Sequence, residues 1–321
     1  MKNAKFIKLY ADFLSRSIRI ERPLKVVFDC SNGTAGPTIQ KLKIKNLKLK
    51  IINEIPDGNF PAHGPDPLKR LAIYDLRSAV LKRKADLGVI FDADADRVFF
   101  IDNRGRFVDP DAIARLLIWQ LKPKKVIIDV RTGWLVKKIK NQKSPKESLR
   151  LPTGQAKFKI RISKVGHYFI KKLMRQKKAD FGVERSGHYY FKDFFYADAA
   201  ILAAIHIINA VSKLPYSLAD FVDLLPRYYR NGEINIRHQI SGVRCQELFK
   251  KIEKSLKAKN YKLKARVSRL DGLTMEFDNW WFNLRPSNTE PLIRLSIESD
   301  SKRILIRQRK QLTKLINSDI N

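Results

Sequence analysis

Residues 85–97 read ADLGVIFDADADR, a mostly apolar run followed at once by three aspartates at alternate positions. The run 85–91 is short and rich in branched and aromatic side chains, which predicts a buried strand. Asp92, Asp94 and Asp96 follow at i, i+2 and i+4, a spacing that sends three carboxylates toward one side of an extended or looped backbone. Their mutual repulsion demands a cation. Arg97 comes next, a group able to clamp a phosphate or offset charge.

The donor chemistry of this loop favours Mg²⁺. Hard carboxylate oxygens without His or Cys are typical of magnesium rather than zinc. A solvated acidic turn and a calcium loop are the two other interpretations. An EF-hand counted from Asp92 needs Gly at position 6 and Glu at position 12, where this chain has Arg97 and Asn103, so the EF-hand is excluded. The sequence therefore predicts a Mg²⁺ site at Asp92, Asp94 and Asp96.

Strand and helix signals alternate on both sides of this loop. On its N-terminal side we predict an amphipathic first helix, a strand LKVVFD (24–29), a helix over 37–42, a strand over 49–53, a shaped Pro/Gly-rich loop (56–67) and a helix over 68–84. On its C-terminal side we predict a strand FFID (99–102), a helix over 109–121, a strand over 124–130 and helices over 132–139, 164–178, 197–212 and 217–226. This alternation is typical of α/β domains with a parallel or mixed sheet.

The last third of the chain has a different character. Strand-like runs EINIRHQI, GLTMEF, WWFNLR and PLIRLSIES are separated by short turns and accompanied by helices over 245–259 and 301–317. Strands in hairpins with two helices predict a small α+β domain. The predicted fold is two tandem α/β domains followed by this α+β domain, with ranges 1–106, 107–226 and 227–321.

The net charge is unusually high. The chain has 65 Lys and Arg against 32 Asp and Glu, a formal charge of +33. Such an excess favours polyanionic partners: nucleic acid, anionic membrane or phosphorylated metabolites. The basic residues are interleaved with apolar ones in almost every segment, which is typical of solvated strand and helix faces. We interpret the charge as a general basic bias plus a phosphate-attracting cleft; nucleic-acid binding is the weaker alternative, because no such motif is found.

Membrane and redox signals are weak. No stretch approaches the ~18 consecutive apolar residues of a membrane span, and the N-terminal segment is too interrupted by lysines for a signal peptide. Cys30 and Cys245 are far apart and in no metal-like spacing, which disfavours a disulfide framework or a zinc site. A cytoplasmic location and no membrane partner are expected.

The D-x-D-x-D-R pattern at the end of a strand resembles the magnesium loop of the α-D-phosphohexomutases. Two further motifs of that family precede it here: strand–D-x-x-N-G at Asp29, Asn32 and Gly33, and D-G-x-F-P-x-H-x-P-x-P over 57–67. Ala93 stands where the family usually has Gly, but the three predicted ligands remain. The resemblance implies a phosphohexomutase fold with Mg²⁺ as cofactor.

Residues 163–198 resemble the segment that carries the K-x-G-H element and the G-E-x-S-G-H sugar-binding loop of the same family. The resemblance implies that Glu184 and Ser186 hold sugar hydroxyls, and that Lys164, His167 and His188 line the cleft. A carboxylate and a hydroxyl suit this role because together they accept from and donate to adjacent hydroxyl groups.

RPSNTEP (285–291) resembles the phosphate-binding loop of the family, between two strands of the last domain. The resemblance implies phosphate contacts from Arg285, Ser287, Asn288 and Thr289, whose guanidinium, short donors and backbone N–H groups suit a phosphate nest. Arg131 matches a position where family members often carry a basic cleft residue.

The implied activity is interconversion of hexose 1-phosphate and hexose 6-phosphate, with Arg97 and His167 in catalytic roles. In the family, the first domain carries a phosphoserine in a Ser-His-Asn-Pro type loop, whereas this sequence contains no Ser-His dipeptide, and Ser31 and Ser186 belong to other motifs.

Three interpretations of the chain follow. The chain is the part of a mutase that needs a separate N-terminal phosphoserine domain, or a non-catalytic sugar-phosphate-binding protein, or a nucleic-acid-binding protein. The first is favoured; whether it acts alone and which hexose it prefers stay open, although the E-R-S-G-H form is closest to phosphomannomutase/phosphoglucomutase relatives.

Overall fold

The computed structural model describes residues 2–139, 158–237, 242–259, 265–287 and 290–318. The chain divides into two compact units. The first comprises residues 1–128, 135–161 and 166–225, and the second comprises residues 129–134, 162–165 and 226–321. Among the described helices, none combines the length and the apolar character that a membrane span requires.

The first sheet of the first unit is mixed, with strand order β2-β1-β3-β4-β5. Strand β1 pairs in parallel with β2 and β3, while β3–β4 and β4–β5 are antiparallel. Its strands are β1 (Leu24–Asp29), β2 (Leu47–Ile52), β3 (Leu87–Phe91), β4 (Val98–Asp102) and β5 (Phe107–Val108), and its helices are α1 (Lys2–Ser15), α2 (Ala35–Ile39) and α3 (Arg70–Arg83). Every residue of β3 and β4 is buried, so the turn between them is held by a rigid base.

The second sheet has the order β10-β9-β8-β6-β7. Strands β6 and β8 are parallel, and β8–β9 and β9–β10 are antiparallel. Its strands are β6 (Lys125–Asp129), β7 (Lys159–Ser163), β8 (Phe181–Val183), β9 (Tyr189–Phe191) and β10 (Ala197–Asp198), and its helices are α4 (Pro110–Leu121), α5 (Trp134–Lys137), α6 (His167–Lys177), α7 (Ala200–Lys213) and α8 (Leu218–Asp223).

One hydrophobic core joins both sheets of the first unit. It includes Phe28 and Phe100 from the first sheet, Phe181 from the second, and the apolar helices α4 and α7. Helix α4 begins with Asp109 as its N-cap, whose side chain accepts from the Asp111 amide, and with Pro110 at its first position, both favourable for a helix start. The shared core fixes the loops of the two sheets relative to each other within this unit.

The second unit contains an antiparallel sheet with strand order β11-β16-β15-β14-β13, with β12 also pairing β16. Its elements are β11 (Tyr229–Arg230), β12 (Ile234–Arg237), α9 (Gly242–Lys259), β13 (Arg266–Ser268), β14 (Leu273–Glu276), β15 (Trp280–Pro286), β16 (Leu292–Ser299) and α10 (Lys302–Asn317). A separate core built around Phe282, Leu295 and Leu312 packs the helices on the sheet.

The predicted fold class is confirmed: mixed α/β sheets are followed by an antiparallel α+β sheet. The helix predicted over 132–139 is shorter in the structure, a single turn at Trp134–Lys137. The Asp129 carboxylate accepts from the amides of Arg131 and Thr132 and holds the residues before this helix in a turn. Strands β7 to β10 were not predicted from sequence. The domain boundaries near 106 and 226 stay predictions.

Candidate functional site

The three aspartates lie on the tight turn between β3 and β4. Asp92 is buried, Asp96 is half-buried and Asp94 is exposed. One carboxylate oxygen from each lies within 4.8 Å of the others. The structure therefore brings the three predicted ligands together at one point, open to solvent on the side of Asp94.

Arg97 closes this turn, which we call the metal loop (residues 92–97). Its amide donates to Asp92 Oδ1 at 3.1 Å, and its Nε lies 2.5 Å from Asp92 Oδ2 and 3.8 Å from Asp96 Oδ1. Ala95 has a φ of 59°, in the left-handed region, which lets the loop reverse direction within six residues. Arg97 therefore offsets part of the acidic charge and fixes the loop's shape.

The carboxylates of the metal loop differ in their pKa values. Burial raises the pKa of Asp92 to about 6, although Arg97 works in the opposite direction. The hydrogen bond from His188 lowers the pKa of Asp96 to about 2. Carboxylates this close resist simultaneous ionisation unless a positive charge lies among them.

A hard divalent cation fits this donor set. All three candidate ligands are carboxylate oxygens, the donors that Mg²⁺ prefers. A second group of Asp96, His188 and Asp198 is also close enough to hold an ion. In that group the His188 ring is engaged on both nitrogens, by Ser186 and Asp96, and Asp198 pairs with Lys171. The metal loop is the better fit.

The predicted sugar loop (residues 184–188), between β8 and β9, lies against the metal loop. His188 Nε2 is 3.3 Å from Asp96 Oδ2, and its Nδ1 is 2.9 Å from Ser186 Oγ. The amide of Val98 donates to the Gly187 carbonyl at 3.1 Å. Burial alone would lower the pKa of His188, but the carboxylates of Asp96 and Glu184 outweigh it and raise that pKa. His188 thus links the two loops.

Glu184 is buried at the base of the sugar loop. It accepts from the Gly166 amide at 2.7 Å and from the Tyr190 hydroxyl at 2.5 Å. Gly166 is the N-cap of α6, and His167, the first residue of that helix, is exposed. Glu184 therefore anchors the start of α6, and with it His167, to the sugar loop.

Two residues, one within the sugar loop and one just after it, were not predicted from the sequence. Arg185 makes a paired contact with both carboxylate oxygens of Asp109, at 2.9 and 2.7 Å, and lies 3.0 Å from Asp111. Tyr190 donates to Glu184. The sequence did contain a signal for Tyr190. It continues the alternate positions of Glu184, Ser186 and His188, and alternate residues of a strand lie on the same face.

The predicted phosphate residue Arg285 belongs to the second unit and is buried in β15. Its direct cross-strand partner in β16 is Arg294. Glu233 lies between their charges, with Oε1 2.7 Å from Arg285 Nη2 and Oε2 3.3 Å from Arg294 Nη1. Each Nε of this arginine pair is buried without a hydrogen-bond partner in the described part of the chain. Like charges placed directly opposite repel. Glu233 and Glu290, whose Oε2 lies 2.9 Å from Arg294 Nη2, offset the two positive charges, and the two Nε groups are the donors left for an anionic ligand.

The other predicted residues of the second unit are more dispersed. Arg131 directs Nη2 at Asp129 Oδ2, 2.7 Å away, and its carbonyl accepts from Arg230. Lys164 is exposed, and Ser287 is half-buried with its amide donating to the Leu292 carbonyl at 2.8 Å. Asn288 and Thr289 lie outside the described residues.

Comparison with known proteins gives a consistent family match along the chain. Models of the phosphoglucomutase/phosphomannomutase alpha/beta/alpha domains II and III match residues 5–105 and 109–228, and the model of the C-terminal domain matches residues 243–315. The phosphomannomutase of Methanocaldococcus jannaschii is 35% identical over 300 residues, 91% of this chain and 61% of the relative. The phosphomannomutase of Escherichia coli K12 is 33% identical over 303 residues, 90% of this chain and 62% of the relative. The chain thus spans about three fifths of these relatives' length.

Solved structures show the same fold. A phosphoglucomutase/phosphomannomutase family protein from Burkholderia thailandensis superimposes with a TM-score of 0.80 at 24% identity, covering 98% of this chain and 64% of the other. The Aspergillus fumigatus N-acetylphosphoglucosamine mutase in complex with GlcNAc-6P and magnesium gives a TM-score of 0.64 at 15% identity, covering 98% and 66%.

Proposed function

The chain belongs to the phosphoglucomutase/phosphomannomutase family, and from that premise we propose that it is the metal-, sugar- and phosphate-binding part of a hexose-phosphate mutase. The reaction would be interconversion of hexose 1-phosphate and hexose 6-phosphate. The observation that carries the proposal is the joining of the metal loop to the sugar loop through His188 and Asp96. Through that contact, a phosphoryl group at the cation and a hydroxyl at the sugar loop would be neighbours.

In this proposal the metal loop binds Mg²⁺ through Asp92, Asp94 and Asp96. A Mg²⁺ ion held there supplies charge neutralisation at a phosphoryl group during in-line transfer. Arg97, half-buried beside the loop, contributes positive charge to the same phosphoryl oxygens. Its Nε is already committed to Asp92, so its remaining guanidinium donors are the ones available to the phosphoryl group.

The sugar would be held by Glu184, Ser186 and His188, in exchange for hydrogen bonds that these groups now make within the protein. A carboxylate, a hydroxyl and an imidazole are each able to form hydrogen bonds with vicinal hydroxyl groups. His167, exposed at the start of α6 and anchored through Glu184, would take the proton of an attacking sugar hydroxyl and return it after transfer. Lys164 and Arg131 would add positive charge for the phosphate that is not reacting.

We propose that the arginine pair of the second unit binds a phosphate group. Arg285 and Arg294 both contact Glu233, Arg294 also contacts Glu290, and each arginine keeps a buried Nε without a hydrogen-bond partner in the described residues. A phosphate dianion would supply acceptors for these donors. We assign Ser287, Asn288 and Thr289 to the same phosphate on the basis of the motif RPSNTEP.

We further propose that the phosphoryl carrier is a phosphoserine supplied by a separate first domain. The 321 residues contain no Ser-His dipeptide, and therefore no Ser-His-Asn-Pro type loop. In the proposed transfer, an oxygen of the sugar attacks the phosphoserine phosphorus, a new P–O bond forms, the P–Oγ bond breaks, and the serine oxygen leaves. The reverse transfer from the other position of the bisphosphorylated sugar restores the phosphoserine.

The test is an assay of glucose 1-phosphate conversion, followed by ³¹P NMR, with Mg²⁺ and glucose 1,6-bisphosphate present. The chain is measured alone and after addition of a first domain taken from a phosphomannomutase relative. We expect no turnover by either protein alone and formation of glucose 6-phosphate by the mixture. Binding of glucose 1-phosphate without turnover in the mixture would favour the non-catalytic sugar-phosphate-binding alternative. Absence of sugar-phosphate binding, with retention on DNA that resists high salt, would favour nucleic-acid binding.

A further inference from the structure

A buried ion pair lies beneath the metal loop and has no role in the proposed reaction. Asp29, the last residue of β1, and His63, from the loop after β2, both have side chains with no solvent exposure. His63 Nε2 lies 3.2 Å from Asp29 Oδ2 and 3.3 Å from Asp29 Oδ1. Asp29 Oδ1 also accepts from the Ser31 amide at 2.9 Å and from Asn53 Nδ2 at 3.0 Å. The carboxylate is thus saturated with donors from three separate segments.

The hydrogen bonds of His63 define its charge. Its second ring nitrogen, Nδ1, lies 3.0 Å from the Gly64 carbonyl oxygen. A carbonyl and a carboxylate are both acceptors, so this arrangement favours the imidazolium, in which both ring nitrogens donate. The hydrogen bond to Asp29 raises the pKa of His63 against the opposing effect of burial. A buried charge pair of this kind is costly to break from one side, because the remaining charge is left uncompensated.

The Asp29 carboxylate is connected to the metal loop through the turn 31–34. Ser31, whose amide donates to Asp29, directs its Oγ at the Phe91 carbonyl at 2.6 Å. The Thr34 amide donates to the Ala93 carbonyl at 2.8 Å. The turn therefore holds the carbonyls on both sides of Asp92.

This turn needs an anchor, because its backbone is unfavourable by itself. Ser31 and Asn32 have φ values of 52° and 53°, in the left-handed region that costs energy for residues with a Cβ. The Ser31 amide is held by Asp29, and Asp29 is held by His63. Loss of the imidazolium would leave Asp29 with an uncompensated charge and would loosen the segment that fixes the metal loop.

We propose that His63 is a positioning residue for the metal loop: through Asp29 it fixes the turn 31–34, which in turn holds the backbone on either side of Asp92. The inference rests on the proposed metal binding of that loop, but not on mutase activity. It differs from a purely structural role in one respect. The geometry of the carboxylates, and hence cation affinity, should depend on His63 even in a fully folded protein.

The test measures the affinity of the full chain for Mn²⁺ alone, from the EPR signal of the free ion, at a temperature well below unfolding. His63→Gln removes the charge and one of the two donors. We expect its Mn²⁺ affinity to fall by about tenfold, the lower end of what loss of an outer-shell partner costs a metal site. The matched control is His206→Gln, which replaces a half-buried histidine of the same unit that packs on Phe191. Its Mn²⁺ affinity should stay within about twofold of the parent.

A second variant keeps the proposal testable if His63→Gln does not fold. Ser31→Ala removes only the hydrogen bond to Phe91 and should weaken Mn²⁺ binding in the same direction, by a smaller factor. Parental affinity in a folded His63→Gln protein overturns the proposal. If that variant does not fold, parental affinity in Ser31→Ala overturns it instead. Absence of Mn²⁺ binding by the parent also overturns it, whereas a negative mutase assay with intact Mn²⁺ binding contradicts only the proposed function.

Discussion

The metal loop and the arginine pair each bring like charges close together, negative charges in the metal loop and positive charges in the arginine pair. In the metal loop, three carboxylates come from one stretch of six residues, and Arg97 within that stretch offsets part of their charge. In the second unit, Arg285 and Arg294 come from two neighbouring strands and are brought together by their register, with Glu233 from a third segment between them. Each site holds like charges closer than they would stay in water; Arg97 offsets the three carboxylates only in part, whereas Glu233 and Glu290 both lie against the arginine pair.

The difference is where the information for each site resides. The metal-loop aspartates come from one segment of six residues, and a tight turn with Ala95 in the left-handed region brings them together. The arginine pair depends on the register of the hairpin β15–β16, since a shift of one residue would send Arg294 to the other face of the sheet, and on Glu233, 52 residues before Arg285. The metal loop should therefore be sensitive to local backbone changes, and the arginine pair to changes in the sheet around it.

The largest expected effect is at the exposed ligand of the metal loop. Asp94→Asn removes a carboxylate that has no hydrogen bond or ion pair in the described chain, so folding should be unchanged. Mn²⁺ affinity should fall by at least about 100-fold, beyond the range for outer-shell changes. Isothermal titration checks this, with Asp278→Asn, an exposed aspartate of the second unit, as control. Parental affinity in Asp94→Asn would remove the loop as a cation site.

Substitutions at two glycines test whether the metal loop and the arginine pair bind their ligands independently. A Cβ at Gly33 would lie 2.3 Å from the Ala93 carbonyl oxygen, and a Cβ at Gly272, where φ is 72°, would lie 2.1 Å from the Leu284 carbonyl oxygen. Each substitution by Ala should lower the free energy of unfolding by about 2 kcal/mol through forced displacement of backbone.

Ligand titrations should separate these two variants. Gly33→Ala should weaken Mn²⁺ binding and leave inorganic phosphate binding unchanged, and Gly272→Ala should do the reverse, because Leu284 adjoins Arg285. Both affinities are measured on both proteins at a temperature where urea unfolding shows them folded. Equal loss of both affinities in one variant would contradict independent sites.

Acid pH should destabilise the scaffold of the metal loop through His206 in α7. Burial lowers the pKa of His206 to about 4 from its usual 6.5, so between these values the unfolded chain binds a proton that the folded chain refuses. The stability this neutral ring contributes is complete above pH 6.5 and falls as pH drops. We expect about 2 kcal/mol of it to be lost between pH 7.5 and pH 5.

The measurement is urea unfolding at both pH values for the parent and for His206→Gln. The variant should lose about 2 kcal/mol less than the parent over this interval. An identical pH dependence in the two proteins would assign the acid sensitivity to groups other than His206.

The smallest expected effect is a gain of affinity at the arginine pair. Glu233→Gln removes the negative charge between Arg285 and Arg294, so an inorganic phosphate ion no longer competes with it. Phosphate should bind about tenfold more tightly, which corresponds to about 1.4 kcal/mol. Isothermal titration checks this against Glu253→Gln, whose partners are Arg269 and Lys257. Weaker binding in Glu233→Gln would show that Glu233 orients the arginines rather than competing with the anion.

Much of the fold was predictable because its signals are local. The buried strand before Asp92, the apolar helices α4 and α7 and the hairpin strands of the second unit all have clear patterns. Strands β8, β9 and β10 have three, three and two residues, too few for alternation to be distinguished from a loop. Their pairing was decided by the core that they complete.

The sequence by itself determined the family, the charge of each candidate site and the three aspartates of the metal loop, because these depend on residue type and on spacing within one segment. The tertiary structure alone decided that His188 contacts Asp96, that Arg294 faces Arg285, and that His63 pairs with Asp29 beneath the metal loop. Those residues are separated by up to 92 positions in the chain. Contacts over such distances arise from the packing of sheets and helices around a common core, and no local periodicity encodes them.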